Sequence, residues 1–160
     1  MFIVDALLGN FDRHNGNWGI LVDEEKQTAE IAPVYDCGSC LYPQLASGEM
    51  KDVLEKEEEI DRRIFVYLTS AVEEDGKKIS YFDFISSLKN RDCNAARRRI
   101  YERIDMEQID WLVAETPFTE PIQREFYQVM IRERKEKILD YSMEQLMKLE
   151  KQQHFSGNYS

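Results

Sequence analysis

Histidine, cysteine and proline are scarce in this chain: 160 residues carry two, three and four of them. An odd cysteine count argues against a disulfide framework and fits a reducing compartment. Cys37 and Cys40 do form a C-x-x-C pair, but tetrahedral zinc needs two more ligands and only Cys93, His14 and His154 remain. Reduced thiols in a loop are the expectation, with neither a metal centre nor thioredoxin-like redox chemistry. Long apolar runs are missing too. None approaches the roughly 18 residues a membrane span requires, and Met1 to Leu8 has neither the basic start nor the length of a signal peptide. A cytoplasmic protein without a membrane partner is expected. Positive charge is the last shortage: 31 acidic against 21 basic residues give a formal charge of -10, which opposes direct nucleic-acid binding. Arg97, Arg98 and Arg99 cluster, yet a run of this kind on a helix reads as a solvated face.

What is present suits one packed domain, since 42% of residues are hydrophobic and 11% aromatic over a length near that of a single domain. The fold class expected is mainly α (α+β), with residues 1–150 as one helical lobe and 151–160 as a frayed tail. "NWGILV" and "TAEIAPVY", joined by the polar "DEEKQ", predict one small antiparallel β-hairpin at about residues 17–35. Around it the chain reads as helix. "MFIVDALLGN" is a short helix stopped by Gly9, and one so short is marginal alone, so something upstream is expected to belong to it. Met50 to Glu74 carries Leu54, Ile60, Ile64, Tyr67 and Leu68 near helical spacing. Ser80 with Asp83, and Asp105 with Gln108, mark helices near residues 81 to 90 and 106 to 115. After "TPFTEP", a final helix from about 121 to 150 lines up Ile122, Phe126, Val129, Ile138, Tyr141, Leu146 and Leu149 in one stripe.

The chemistry concentrates in "LLGNFDRHNGNWGIL", residues 7–21. A calcium loop starting at Asp12 would need Asp or Asn at its third and fifth positions and Gly at its sixth, where His14, Gly16 and Asn17 stand. An HNH-type nuclease would want a second histidine close by. Phosphoryl transfer fits better, because it needs a carboxylate to take the proton of the attacking hydroxyl and oxygen ligands to hold magnesium on the phosphates. Asp12 and Asn17 have the D-x-x-x-x-N spacing of a kinase catalytic loop. The hairpin then leads to Asp36 in "PVYDCG", where a kinase places its metal-binding aspartate. Each residue also has a plainer reading. Asn10 or Asp12 alone suits a turn cap, His14 suits a structural role, and Trp18 and Tyr35 suit the hairpin core.

"LLGNFDRHNGNWGIL" followed by "IAPVYDCGSCLYP" resembles the C-terminal kinase lobe of the HipA-like serine/threonine kinases, whose motif runs L-x-G-x-x-D-x-H-x-x-N and then P-x-Y-D. The match is close over residues 7–43 and only general beyond. The resemblance implies Asp12 as catalytic base, Asn17 and Asp36 as magnesium ligands binding Mg-ATP, and His14 as a residue orienting the loop or the transferred phosphate. It implies ATP and Mg²⁺ as cofactors, a protein Ser/Thr substrate, and an antitoxin-like regulator of a toxin-type kinase. "DRHNGN" is also similar to the loop of phosphatidylinositol 3- and 4-kinases, but those usually carry D-F-G at the metal site, where Asp36 is followed here by Cys37 and Gly38.

Neither a Gly-rich phosphate loop nor a strand lysine of the V-A-I-K kind occurs in the 160 residues. The missing N-terminal kinase lobe is therefore an expected partner, and the chain by itself is expected to be inactive. Apolar surface around Phe2, Ile3 and Leu7 is where that lobe would dock. The alternative from another class is a non-catalytic helical interaction module derived from a kinase lobe.

Overall fold

Helix α1 (Phe2–Leu8) has seven residues, too few to persist unaided, and it is held by burial. In the computed structural model, which describes residues 1–157 with side chains through residue 152, α1 lies at the centre of the helical layer. It packs against α4 (Tyr81–Ser86), α5 (Arg91–Tyr101) and α7 (Pro121–Arg134). Ile3 and Leu7 are buried there, with the Phe2 ring packed at a tilt against Tyr81 and Phe84. The expected docking surface on this helix is therefore corrected: its apolar residues are already covered by the chain's own helices. Gly9 ends α1 in the left-handed conformation at φ 71°, as its sequence position predicts.

The hairpin expected at about 17–35 forms as β1 (Ile20–Asp23) and β2 (Thr28–Ile31), antiparallel with Ile20 opposite Ile31. The long helix expected over Met50 to Glu74 does not form. It divides into α2 (Ser47–Leu54), α3 (Glu57–Asp61) and a π-helical turn at Arg62–Val66. Beyond these, β3 (Thr69–Glu74) pairs with β4 (Lys77–Ser80) as a second hairpin around Gly76. Burial at Leu68 and Ser70 alternates in the strand period, and a tertiary contact fixes it: the Ser70 hydroxyl and the Val72 N–H both donate to the Arg13 carbonyl, at 2.8 and 3.1 Å. Charge at helical spacing was outweighed by that contact.

Ser80 and Asp105 do cap helices, accepting from the Asp83 and Gln108 backbone N–H groups. Leu88, at φ 58°, breaks the helix expected to reach residue 90, and Asn90 caps α5 anew. Helix α6 (Met106–Ala114) leads through the Pro117 loop to α7, which starts with Pro121 in its first turn. A π-helical turn at Lys135–Asp140 joins α7 to α8 (Tyr141–Gly157) without a break. Helix α8 thus continues into the tail expected to fray, and residues 158–160 lie outside the described residues. Arg97, expected on a solvated face, is buried and donates to the Ile85 carbonyl and the Asn94 side chain. Among the described residues no helix is long and apolar enough to cross a membrane.

The core joins α1, α2, α7 and both π turns through Ile3, Met50, Ile64, Phe126, Met130 and Ile138. Arg134 sits inside it, its guanidinium 5.6 Å from the centre of the Tyr42 ring and against Gly9, where a Cβ would collide with it. Burial holds Arg134 below the ordinary arginine range, at about 10. Gly9→Ala should cost about 2 kcal/mol or more in urea unfolding, combining left-handed backbone with that collision. In an Arg134→Met background the same change should cost only about 1 kcal/mol, the backbone share. Equal costs in both backgrounds would show that the guanidinium does not confine Gly9.

Candidate functional site

Arg13 is fully buried at 0% exposure and its guanidinium reaches three segments of chain. Nε and Nη2 donate to the two carboxylate oxygens of Asp5 on α1, at 2.9 and 2.8 Å. Nη1 donates to the Asn17 carbonyl at 2.6 Å and to the Tyr35 carbonyl at 2.8 Å. One planar cation therefore holds the loop after α1 and the strand exit before Asp36 in fixed relation. The Asp5 hydrogen bond, against the opposing effect of burial, keeps Arg13 above its ordinary range.

Asn10 makes a second bridge. Its Oδ1 accepts the Asp12 N–H at 3.1 Å while Nδ2 donates to the Asp36 carbonyl at 3.3 Å and to Asp5 at 3.3 Å. The backbones of Asp12 and Asp36, 24 positions apart in sequence, are thus one side chain from each other. Asn17 is buried, and its Nδ2 donates to the Asp12 carbonyl at 3.0 Å, so its Oδ1 is the oxygen left for a metal. Asp12 and Asp36 are exposed, the latter in the left-handed region at φ 55°. His14 is exposed and stays within its own loop, where Nδ1 accepts the Gly16 N–H at 3.0 Å.

Asn10 therefore ties the backbones of Asp12 and Asp36 together, Asn17 is tied to the Asp12 carbonyl, and His14 accepts a hydrogen bond within the turn between Asp12 and Asn17. Among the described residues no group of three or more His, Cys, Asp or Glu side chains could hold a metal. One amide oxygen with one carboxylate is a sparse set, of the kind Mg²⁺ uses when phosphate oxygens and water complete its shell. Sequence reasoning missed Asp5 and Arg13 as the pieces beneath these residues. The signal was an acid inside an otherwise apolar helix, eight positions before an arginine in the polar loop.

Trp18 and Tyr35, expected in the hairpin core, are each 44% exposed. The first hairpin projects from the lobe, so both its faces meet solvent: Ile20, Leu21 and Val22 are exposed, and Ile31 reaches 80%. This is one open apolar surface among the described residues, and Trp111, Leu112 and Phe118 are exposed elsewhere. Cys37 and Cys40 are free thiols in the turn after Asp36. Burial, with the neighbouring Cys37, pushes Cys40 up to about 12.

No family model matches the chain. Over 141 residues it is 48% identical to the serine/threonine-protein kinase CtkA of Helicobacter pylori strain J99, a match covering 88% of this chain and 43% of that protein. Its structure is similar to the crystal structure of a Helicobacter pylori proinflammatory kinase CtkA, with a TM-score of 0.87 and 45% identity over 94% of this chain and 55% of that one. The likeness is to a kinase. The chain spans less than half the length of the curated relative and just over half of the crystallised one.

Arg13→Lys keeps a charge but loses the fork that reaches Asp5, Asn17 and Tyr35 together, so urea unfolding should show a loss of about 3 kcal/mol. Hydrogen exchange at the Asn17 amide should accelerate alongside. A variant as stable as the parent would remove Arg13 from its central place. Iodoacetamide at pH 8 should label exposed Cys37 well before Cys40, whose thiol is held by burial well above the ordinary range and so stays mostly protonated. Mass spectrometry of the first adduct checks the order.

Proposed function

We propose that this chain is the catalytic-loop and metal-binding portion of a HipA-like serine/threonine protein kinase that uses ATP and Mg²⁺. The observation that carries the reading is the double bridge of Arg13 and Asn10, which holds the Asp12–Asn17 loop against Asp36. Structural likeness to a serine/threonine kinase supports it. In this reading Asp12 accepts the proton of a substrate Ser or Thr hydroxyl, and its exposure leaves it open to that hydroxyl. Asn17 Oδ1 and the Asp36 carboxylate would hold Mg²⁺. The metal supplies charge neutralisation on the β and γ phosphates. His14 keeps the turn that spaces Asp12 from Asn17 by accepting from Gly16.

The remaining length of such kinases would supply the Gly-rich loop and lysine, and the first hairpin, with Leu21 and Ile31 exposed, is the surface offered to it. The chain alone is then inactive, because misplacing a phosphate by about 1 Å can cost about 100-fold. Regulation by an antitoxin-like protein follows from the same resemblance. A non-catalytic interaction module remains the second reading, favoured by that exposed hairpin.

The test mixes the chain with Mg²⁺ and radiolabelled ATP, with and without a separately expressed N-terminal kinase lobe. Label should transfer only in the mixture. It should vanish with Asp12→Ala at nearly unchanged ATP affinity, whereas Asp36→Ala should weaken Mg-ATP binding itself. Leu21→Glu with Ile31→Glu should prevent the two parts from associating. Transfer that survives Asp12→Ala would overturn the assignment, and association without any transfer would favour the interaction module.

A further inference from the structure

A cavity of about 260 Å³ opens beside the catalytic loop, walled by the rings of Phe11, Tyr42 and Tyr67 and by Gln44, Thr69 and Lys78. Phe11 is the chain neighbour of Asp12. The opposite wall belongs to the second hairpin, which is tied to the residue after Asp12 by the Ser70 and Val72 hydrogen bonds to the Arg13 carbonyl. Both walls are thus fixed to the residue that would take the substrate proton.

The lining of the cavity carries charge of one sign, while the other side of Lys78 borders a second pocket lined by Glu74 and Asp83. Lys78 is the charged residue of the cavity lining, which holds no carboxylate. The Lys78 ammonium makes no ion pair with Glu73, its partner across the hairpin, or with any other described residue. Behind the Tyr42 ring lies Arg134, buried, with no hydrogen-bond partner on any guanidinium nitrogen among the described residues. Arg63 lies 5.8 Å from the same ring and 5.9 Å from Tyr67, and it is paired with Glu59. A chain with a formal charge of -10 therefore places Lys78, which has no ion-pair partner among the described residues, in the lining of a small aromatic cavity, with the buried Arg134 against the Tyr42 ring that forms one of its walls. Low-dielectric walls focus such a field, and aromatic walls accept the methylene stem of a side chain while a cation takes its anionic end.

We infer that this cavity binds an anionic side chain of the substrate protein, an aspartate or glutamate flanking the acceptor Ser or Thr, with Lys78 as the specificity-determining residue. The proposal rests on the kinase reading for the identity of the acceptor, but the binding it requires needs neither ATP nor catalysis. A phosphorylated side chain carries the same chemistry and is separated from a carboxylate in the test.

Fluorescein-labelled peptides with a central serine, flanked by Glu, by phosphoserine or by Gln, are titrated with the 160-residue chain by fluorescence polarisation at low salt. The Glu peptide should bind about fivefold more tightly than the Gln peptide. Lys78→Gln should remove that preference, and Lys78→Glu should reverse it in favour of a Lys-flanked peptide. Added 0.5 M NaCl should level the peptides. Both variants alter an exposed side chain, so their circular dichroism should match the parent. Equal affinity for Glu and Gln peptides would overturn the proposal. So would a preference unaffected at Lys78, tight binding confined to the phosphoserine peptide, or displacement by Mg-ATP. The basic cavity between α5 and α8, lined by Arg91 and Arg99, provides the control: if Arg91→Gln with Arg99→Gln abolishes the preference, the anion binds there and the inference falls. Failure in any of these ways leaves the label-transfer result with Asp12→Ala untouched, so the two readings are judged separately.

Discussion

A single buried ion pair, Arg13 with Asp5, is the constraint from which the arrangement of the lobe follows. Burying either charge alone would be prohibitive, and the pair is tolerable because Asp5 and Arg13 satisfy each other and further polar groups satisfy both. Asp5 receives Arg13 and Asn10, and Arg13 spends its remaining donor on two carbonyls. Helix α1 must then lie beneath the loop it precedes, and its other faces are left to α4, α5 and α7. Even the backbone carbonyl of Arg13 is occupied, by the second hairpin. Very little of the loop can shift without breaking a buried polar contact, which is how an exposed acid such as Asp12 is kept in place by groups that never meet solvent.

A second, looser constraint lies at the far end of α1. Gly9 allows the chain to turn sharply because it lacks a Cβ, and that absence opens the space Arg134 fills. The Tyr42 ring covers the guanidinium on another side, and Phe11 stacks on the same ring. The segment after Asp36 is thereby fixed to the core through an aromatic ring that also forms part of the surface.

Local signals in the sequence were legible where local physics decides. Ser80 and Asp105 cap helices with their own side chains, and Gly9 ends one with its own backbone. The nearness of the Asp12 and Asp36 backbones was also legible, since the hairpin between them returns the chain to the loop, where Asn10 bridges them. Other long-range effects were not. Thr69–Glu74 became a strand because Arg13 offers it a carbonyl across the fold. Tyr141, read as part of a buried stripe, is exposed while Ser142 and Met143 are buried. Phe126, Met130, Arg134, Ile138, Ser142 and Leu146 are all buried, one every fourth residue. In a regular helix that spacing drifts by about 40° per step, and the π-helical turn at Lys135–Asp140 takes up part of the drift. Counting in steps of 3.6 cannot anticipate the wider turn.

The first hairpin is a two-stranded ribbon, and each of its strands has an edge of backbone donors and acceptors facing outward beside Leu21 and Ile31. Such edges are templates for pairing with a neighbouring molecule. What opposes that pairing is long-range repulsion between chains of net charge -10, which fades with added salt and disappears near the isoelectric point of about 4.8. The colloidal behaviour of the protein is therefore set by a contest between the open edges of one ribbon and the charge of the whole surface, and acidification toward the isoelectric point weakens the side that keeps molecules apart.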